Sequence, residues 1–333
     1  TTSLMLAHRA LGTSYLLIGD LVGAREHTTR GLSLYNRQQH GTLAFRFGHD
    51  PGVAHGLYRG WSLWLLGHGD EGLAASQAAL RLAQDLKHPV SVAFALCYLG
   101  IVEAHRGDYA GARDHADQAA ALSAEHRLAL WAAMSSIVGG WALTGLGHGS
   151  EGIDLLRDGV AAWMRTGARA GVTFFHAAQA WGLLTSGRHE EAFRVLDEGA
   201  ATEDKNGEFF FRAELLRLRG EALSAASPGD TEKSEALFRE SLAIARRQQA
   251  RALELRTAVS LGHLLLGEGR REEALDIVQP IYRWFTQGLG TVDLAAASHL
   301  LNELRPAAGE DARSSLVAAQ PRCGSSDSQR TER

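Results

Sequence analysis

The sequence predicts an all-α solenoid, a row of antiparallel helix hairpins of about 40 residues each, on three observations. Small residues recur at a near-constant interval: Gly12, Gly60, Gly100, Gly140, Ala180, Gly220 and Gly262 stand 48, 40, 40, 40, 40 and 42 residues apart. A glycine stands seven residues after six of these anchors (Gly19, Gly67, Gly107, Gly147, Gly187, Gly269), and a small residue stands twelve after six of them (Ala24, Gly72, Ala112, Gly152, Ala192, Ala274). The segments between are rich in Leu, Trp and Ala at helical spacing and hold no short β-branched run bounded by turns. Units of this kind bury their apolar faces only against their neighbours.

Each unit is expected to be one hairpin. Its first helix ends at the glycine seven residues past the anchor, where a left-handed C-cap costs glycine nothing. Its second helix begins a few residues later, often beside an acid such as Asp20, Asp70 or Asp108 that suits a helix N-terminus. Hairpins are predicted at 4–38, 51–87, 89–126, 128–166, 168–205, 207–250 and 251–288, followed by a final helix at 291–304. The first interval is longer than the rest, which leaves the packing of the first hairpin open. In the sixth unit "SPGD" (227–230) lengthens the turn and moves the small residue to Ala236. The tail 305–333 has little apolar content and is expected to be disordered. Small residues twelve apart let two helices approach closely, which is the tetratricopeptide (TPR) spacing. The usual TPR period is about 34 residues. Each unit here is therefore longer by roughly six residues, about 9 Å of helix, expected in the second helix and its link to the next unit. The fold class is thus a TPR-like α-solenoid with a concave and a convex face.

Composition narrows the function. With 45% hydrophobic residues, 22% charged residues and a formal net charge of -4, the chain reads as a soluble protein with no general pull toward nucleic acid or an anionic membrane. Two cysteines, Cys97 and Cys323, build neither a disulfide framework nor a cysteine metal site, which fits a reducing, cytoplasmic compartment. The start, "TTSLMLAHRALG", lacks the pattern of a secretory signal and begins inside a helical pattern, suggesting a piece of a longer protein. The uncharged stretch 128–147 has the length of a membrane span, but its Ser, Thr and Gly content and its phase with the repeats favour a soluble hairpin.

Motifs that suggest chemistry dissolve on inspection. "GHGDEG" (67–72) and "GHGSEG" (147–152) match G-x-G-x-x-G, but helical segments precede them, and their last glycine occupies the small-residue position of "GDYAGA" and "GRHEEA". No P-loop exists, since none of Lys87, Lys205 and Lys233 follows a glycine. "RHEEAF" (188–193) has Phe193 where a second zinc histidine would stand, which leaves His189 a solvated residue near a helix start. In "GHDPGVAH" (48–55), His49, Asp50 and His55 read better as an Asp50 cap with Pro51 at the first helical position than as metal ligands. No catalytic, cofactor or metal site is expected.

Binding residues can still be nominated. Trp61, Trp141 and Trp181 each follow an anchor by one residue, a position that faces the concave groove in ordinary TPR geometry; packing between helices is the competing use of periodic aromatics. Farther along, Glu221 and His263 hold the corresponding position, with Glu214, Arg217 and Arg256 nearby. Such a groove offers aromatic surface at its start and charge at its end, which suits a protein or peptide segment better than a bare metabolite.

Whole phrases, among them "GHDPGVAHGLYRGWSLWLLGHGDEGL", "LKHPVSVAFAL", "GGWALTGLGHGSEGIDLLRDGVAAWMRTGA" and "NGEFFFRAELLRLRGEAL", closely resemble the C-terminal TPR region of bacterial multidomain signalling proteins. In those, a class III adenylate/guanylate cyclase domain or a DNA-binding domain precedes an AAA-type (STAND-like) ATPase module. The resemblance spans residues 48–304. It implies a non-catalytic regulatory arm whose partners include the ATPase or cyclase module of the same polypeptide, while the cyclase aspartates and Walker motifs have no counterpart here. Two alternatives stay open: a fragment of a cyclase whose catalytic domains lie upstream, and a solenoid that binds a small effector.

Overall fold

The computed structural model describes residues 2–227, 229 and 231–305, and these residues form helices and their connections with no strand among them. Helices α1 (Thr2–Ile18) and α2 (Leu21–Ser33) make the first hairpin, followed by α3 (Arg37–His40), a 3₁₀ turn (Gly41–Leu43) and α4 (Ala44–Phe47). Then come α5 (Pro51–Leu65) with α6 (Gly69–Leu86), α7 (Pro89–Arg106) with α8 (Tyr109–His126), and α9 (Ala129–Gly145) with α10 (Gly149–Arg165). The row continues with α11 (Val172–Thr185) and α12 (His189–Asn206), α13 (Arg212–Ala226) and α14 (Thr231–Arg247), α15 (Arg251–Gly267) and α16 (Arg271–Trp284), and ends at α17 (Val292–Leu304). The tail 306–333 lies outside the described residues.

Local chemistry explains the punctuation. The six glycines at the hairpin turns, Gly19, Gly67, Gly107, Gly147, Gly187 and Gly269, all have φ between 72° and 92°, the left-handed region in which any side chain would be strained. Asp20 and Asp108 cap α2 and α8 by accepting the backbone N–H of Gly23 and Gly111, and Asp50 caps α5 through Val53 with Pro51 behind it. Asp70 has a different task, described below. Where the anchor meets the residue twelve later, backbones touch: a Cβ on Gly140 would lie 2.6 Å from the carbonyl oxygen of Gly152, and one on Gly152 would lie 2.6 Å from that of Gly140. The second helices α6, α8 and α12 run 18 residues each. The long first interval is taken up by α3, the 3₁₀ turn and α4, which Arg37 fastens to the end of α6 through the Asp85 carbonyl at 2.7 Å.

The row of hairpins curls until its early and late parts meet. Gly67 packs against Trp284 and Arg251, and Asp70 accepts the backbone N–H of Gly288 at 2.9 Å while pairing with Arg106 at 2.9 Å. On the other side of the curl the Leu17 carbonyl accepts from the backbone of Phe209 at 2.8 Å. Part of the interior is thereby filled with aromatic rings. Trp61 is 3% exposed and packs its ring against Tyr98, Phe174, Phe210 and Phe211 at 5.2–6.3 Å between centroids. Edge-to-face packing of such rings adds to the large apolar area each buries. At Trp61 the expected concave face is therefore filled by packed rings. Among the described residues no helix is long and apolar enough to cross a membrane.

Candidate binding pocket

Where the aromatic filling ends, a cavity of about 210 Å³ remains, walled by α7, α8, α9, α11, α13, α15 and α17. Helical spacing delivers its charged wall: Glu214, Arg217 and Glu221 lie on one face of α13, and Arg256 and Ser260 on one face of α15. Asp293 comes from the first turn of α17. Trp141 and Trp181 also line the cavity, with Tyr109 stacked on Trp181 at 6.0 Å and 23°, together with the small residues Ala177 and Ala178.

The charges form one network. Arg217 grips Glu214 with two bonds, Nε to Oε2 at 2.9 Å and Nη2 to Oε1 at 2.8 Å, and its Nη1 donates to Oε1 of Glu221 and to Ser260. Ser260 in turn donates to the same Glu221 oxygen at 2.8 Å. Arg256 donates from Nε to Asp293 at 2.9 Å and from Nη1 to Glu214 at 3.3 Å, while its guanidinium lies over the Trp64 ring at 5.0 Å. Glu214 and Arg217 are only 4% and 7% exposed. Burial alone pushes the Glu214 carboxyl up, but Arg217 and Arg256 outweigh it and hold its pKa at about 2. Burial raises Asp293 above the usual carboxylate value against the pull of Arg256.

His105, from α7, lines the same cavity in a different state. It is 1% exposed, stacks on Trp64 at 3.7 Å and 14°, meets the Trp141 ring at 4.7 Å, and neither ring nitrogen has a hydrogen-bond partner. Burial, reinforced by the nearby Arg256, lowers its pKa well below the ordinary value, so it is a neutral imidazole at physiological pH.

Of the eight residues nominated from sequence, the structure brings six into this cavity: Trp141, Trp181, Glu214, Arg217, Glu221 and Arg256. Trp61 is not among them. Phe210 and Phe211, in the turn before α13, pack on it and make it core. His263 is exposed, beyond Ser260 on α15 and outside the lining. Sequence reasoning missed His105, Tyr109, Asp293, Ser260, Phe174 and Phe211. The first three come from α7, the start of α8 and the start of α17, and they meet α13 and α15 only because the curl closes, which the repeat period does not encode.

No protein-family model matches the chain, and no curated protein matches it in sequence. Solved structures do match in shape. The apo form of RapI superposes with a TM-score of 0.52 at 11% identity, covering 95% of this chain and 99% of that one. A Rap protein complexed with competence and sporulation factor gives 0.54 at 10% identity, covering 90% and 97%. Aspartyl phosphate phosphatase F from Bacillus subtilis gives 0.54 at 10% identity, covering 85% and 69%. At such identities the likeness is one of fold: the chain is a TPR-like α-solenoid, similar in path to these proteins over most of its length.

Proposed function

We propose that this chain is a non-catalytic interaction module that captures a protein or peptide segment at the cavity between α7 and α17. The observation that carries this reading is the convergence of seven helices on one cavity with an aromatic wall and a buried, fully paired arginine network. A solenoid of similar path holds a factor in the Rap protein solved as a complex. Glu214, Glu221 and Asp293 are each bound to a guanidinium group, an arrangement that suits recognition better than proton transfer. A regulatory arm acting on an ATPase or cyclase module of the same polypeptide is a finer version of this reading, and it rests on the sequence phrases within 48–304 alone.

The volume of the cavity favours a second reading beside the first. A cavity of about 150 Å³ holds one benzene, so about 210 Å³ holds one side chain of a bound segment or a small effector of that size. Panning the pure protein against short peptides, with a thermal-shift screen of metabolites alongside, separates them. The peptide reading expects bound sequences whose affinity falls at least tenfold in Trp181→Ala without loss of thermal stability. Stabilisation by a metabolite and by no peptide would replace it with the effector reading. Binding indifferent to both Trp181→Ala and Glu221→Gln would contradict this site altogether.

A further inference from the structure

We infer that the cavity selects a cationic group, a guanidinium or primary ammonium on a flexible stem, with Glu221 as its counter-charge. The inference rests on the cavity being the binding site and adds the chemistry of what enters it.

Both arginines are already held by carboxylates: Arg217 uses four of its five N–H groups, Nε and Nη2 on Glu214 and Nη1 on Glu221 and Ser260. Arg256 gives Nε to Asp293, Nη1 to Glu214 and Nη2 to the His105 carbonyl, with Trp64 across one face. An anionic ligand could reach the remaining N–H groups only beside the carboxylates that already neutralise both guanidiniums, where like charges repel it. The acceptors are in the opposite condition. Both bonds to Glu221 end on Oε1, and the bond to Asp293 ends on Oδ2, so Oε2 and Oδ1 accept nothing from a described residue. The two nitrogens of His105 are also without partners among the described residues, and in a neutral imidazole one of them is an acceptor.

Charge agrees with hydrogen bonding. Three carboxylates and two guanidiniums line the cavity, an excess of one negative charge, and the neutral His105 does not cancel it. Glu221 carries that excess toward solvent, since its side chain is 37% exposed while Glu214 is 5%. The Trp141 and Trp181 rings line the same cavity, and aromatic surfaces attract a cation when water is partly excluded. Ala177 and Ala178 add small apolar side chains to the lining, against which an alkyl stem can pack. The space suits one such side chain or a free alkylamine.

Capped amino acids test this on the full chain, read by tryptophan fluorescence. N-acetyl-arginine amide is compared with its neutral isostere, N-acetyl-citrulline amide, and with N-acetyl-glutamate amide. The arginine derivative is expected to bind at least about tenfold more tightly than citrulline, and glutamate weakest. Glu221→Gln, a half-exposed site that keeps its shape, should erase the preference with an unchanged circular-dichroism spectrum and melting point. Trp181→Leu should weaken arginine binding in the same background. Equal binding of arginine and citrulline, tighter binding of glutamate, or a preference that survives Glu221→Gln would overturn the inference. Saturable binding of selected peptides that carry no basic residue would overturn it while leaving the proposed function standing; failure of all peptides and effectors would remove the function itself.

Discussion

The interior of this solenoid is built two ways. Around Trp61 it is dry and aromatic, Trp61, Phe174, Phe210 and Phe211 meeting edge to face with no charge among them. Around Arg217 and Arg256, it is charged, every guanidinium held by carboxylates, and a cavity stays open beside it. Both regions use inward positions of first helices, so repeat position alone does not decide between core and site. What decides is whether a side chain from a distant unit arrives to cover the position. Phe210 and Phe211 arrive over Trp61 and bury it, whereas Tyr109 stacks on Trp181 and leaves it half-buried.

Mutations at the two regions should therefore part company. The largest effect is expected at the aromatic end: Trp61→Ala leaves a hole among four rings and should lower stability by about 3–5 kcal/mol in denaturant unfolding. A loss below about 1 kcal/mol would show that the rings are not packed as described.

At the charged end, Glu214→Gln should cost about 3 kcal/mol at pH 7, because two buried guanidiniums lose a shared partner. The pH dependence has a definite sign. The folded-state pKa of Glu214, about 2, lies below its unfolded value, so its contribution is present above about pH 4.5 and fades as pH falls toward 2. The gap between wild type and Glu214→Gln should narrow over that window, and a gap that is constant from pH 7 to pH 2 would contradict the ion-pair account.

Glu203 sharpens the contrast, being a buried carboxylate without such a partner. It is 4% exposed on α12, its Oε1 has no hydrogen-bond partner, and burial raises its pKa to about 7 against the weaker pull of Arg212. A raised carboxylate contributes stability below about pH 4.5 that is lost as pH rises through 7. Glu203→Gln should accordingly stabilise the protein by about 1–2 kcal/mol at pH 8 and leave it unchanged at pH 4. Equal effects at both values would remove burial as the cause.

These residues also mark where sequence reasoning stops. The hairpin turns are legible because a left-handed C-cap demands glycine locally, and Gly140 with Gly152 betray close helix contact because no side chain fits there. Glu214, Arg217 and Glu221 are legible as one helix face by spacing. Trp61 and Trp181 look identical in sequence, each one residue past an anchor, and the difference between them is made by residues 149 positions away (Trp61 to Phe210). His105 and Asp293 were invisible for the same reason: α7 and α17 become neighbours only when Asp70, Arg106, Gln287 and Gly288 tie the curl together.

The smallest stability effect belongs to Trp181→Ala, and it bears most directly on the claim that the charged end is the site and the aromatic end the core. Trp181 is only half-buried, so unfolding of the variant should stay within about 1 kcal/mol of wild type, while its affinity for a peptide selected against the wild-type protein should fall at least tenfold. Measuring both on the same preparation decides the matter. A stability loss of about 3 kcal/mol or more with affinity intact would make Trp181 core like Trp61 and contradict the account.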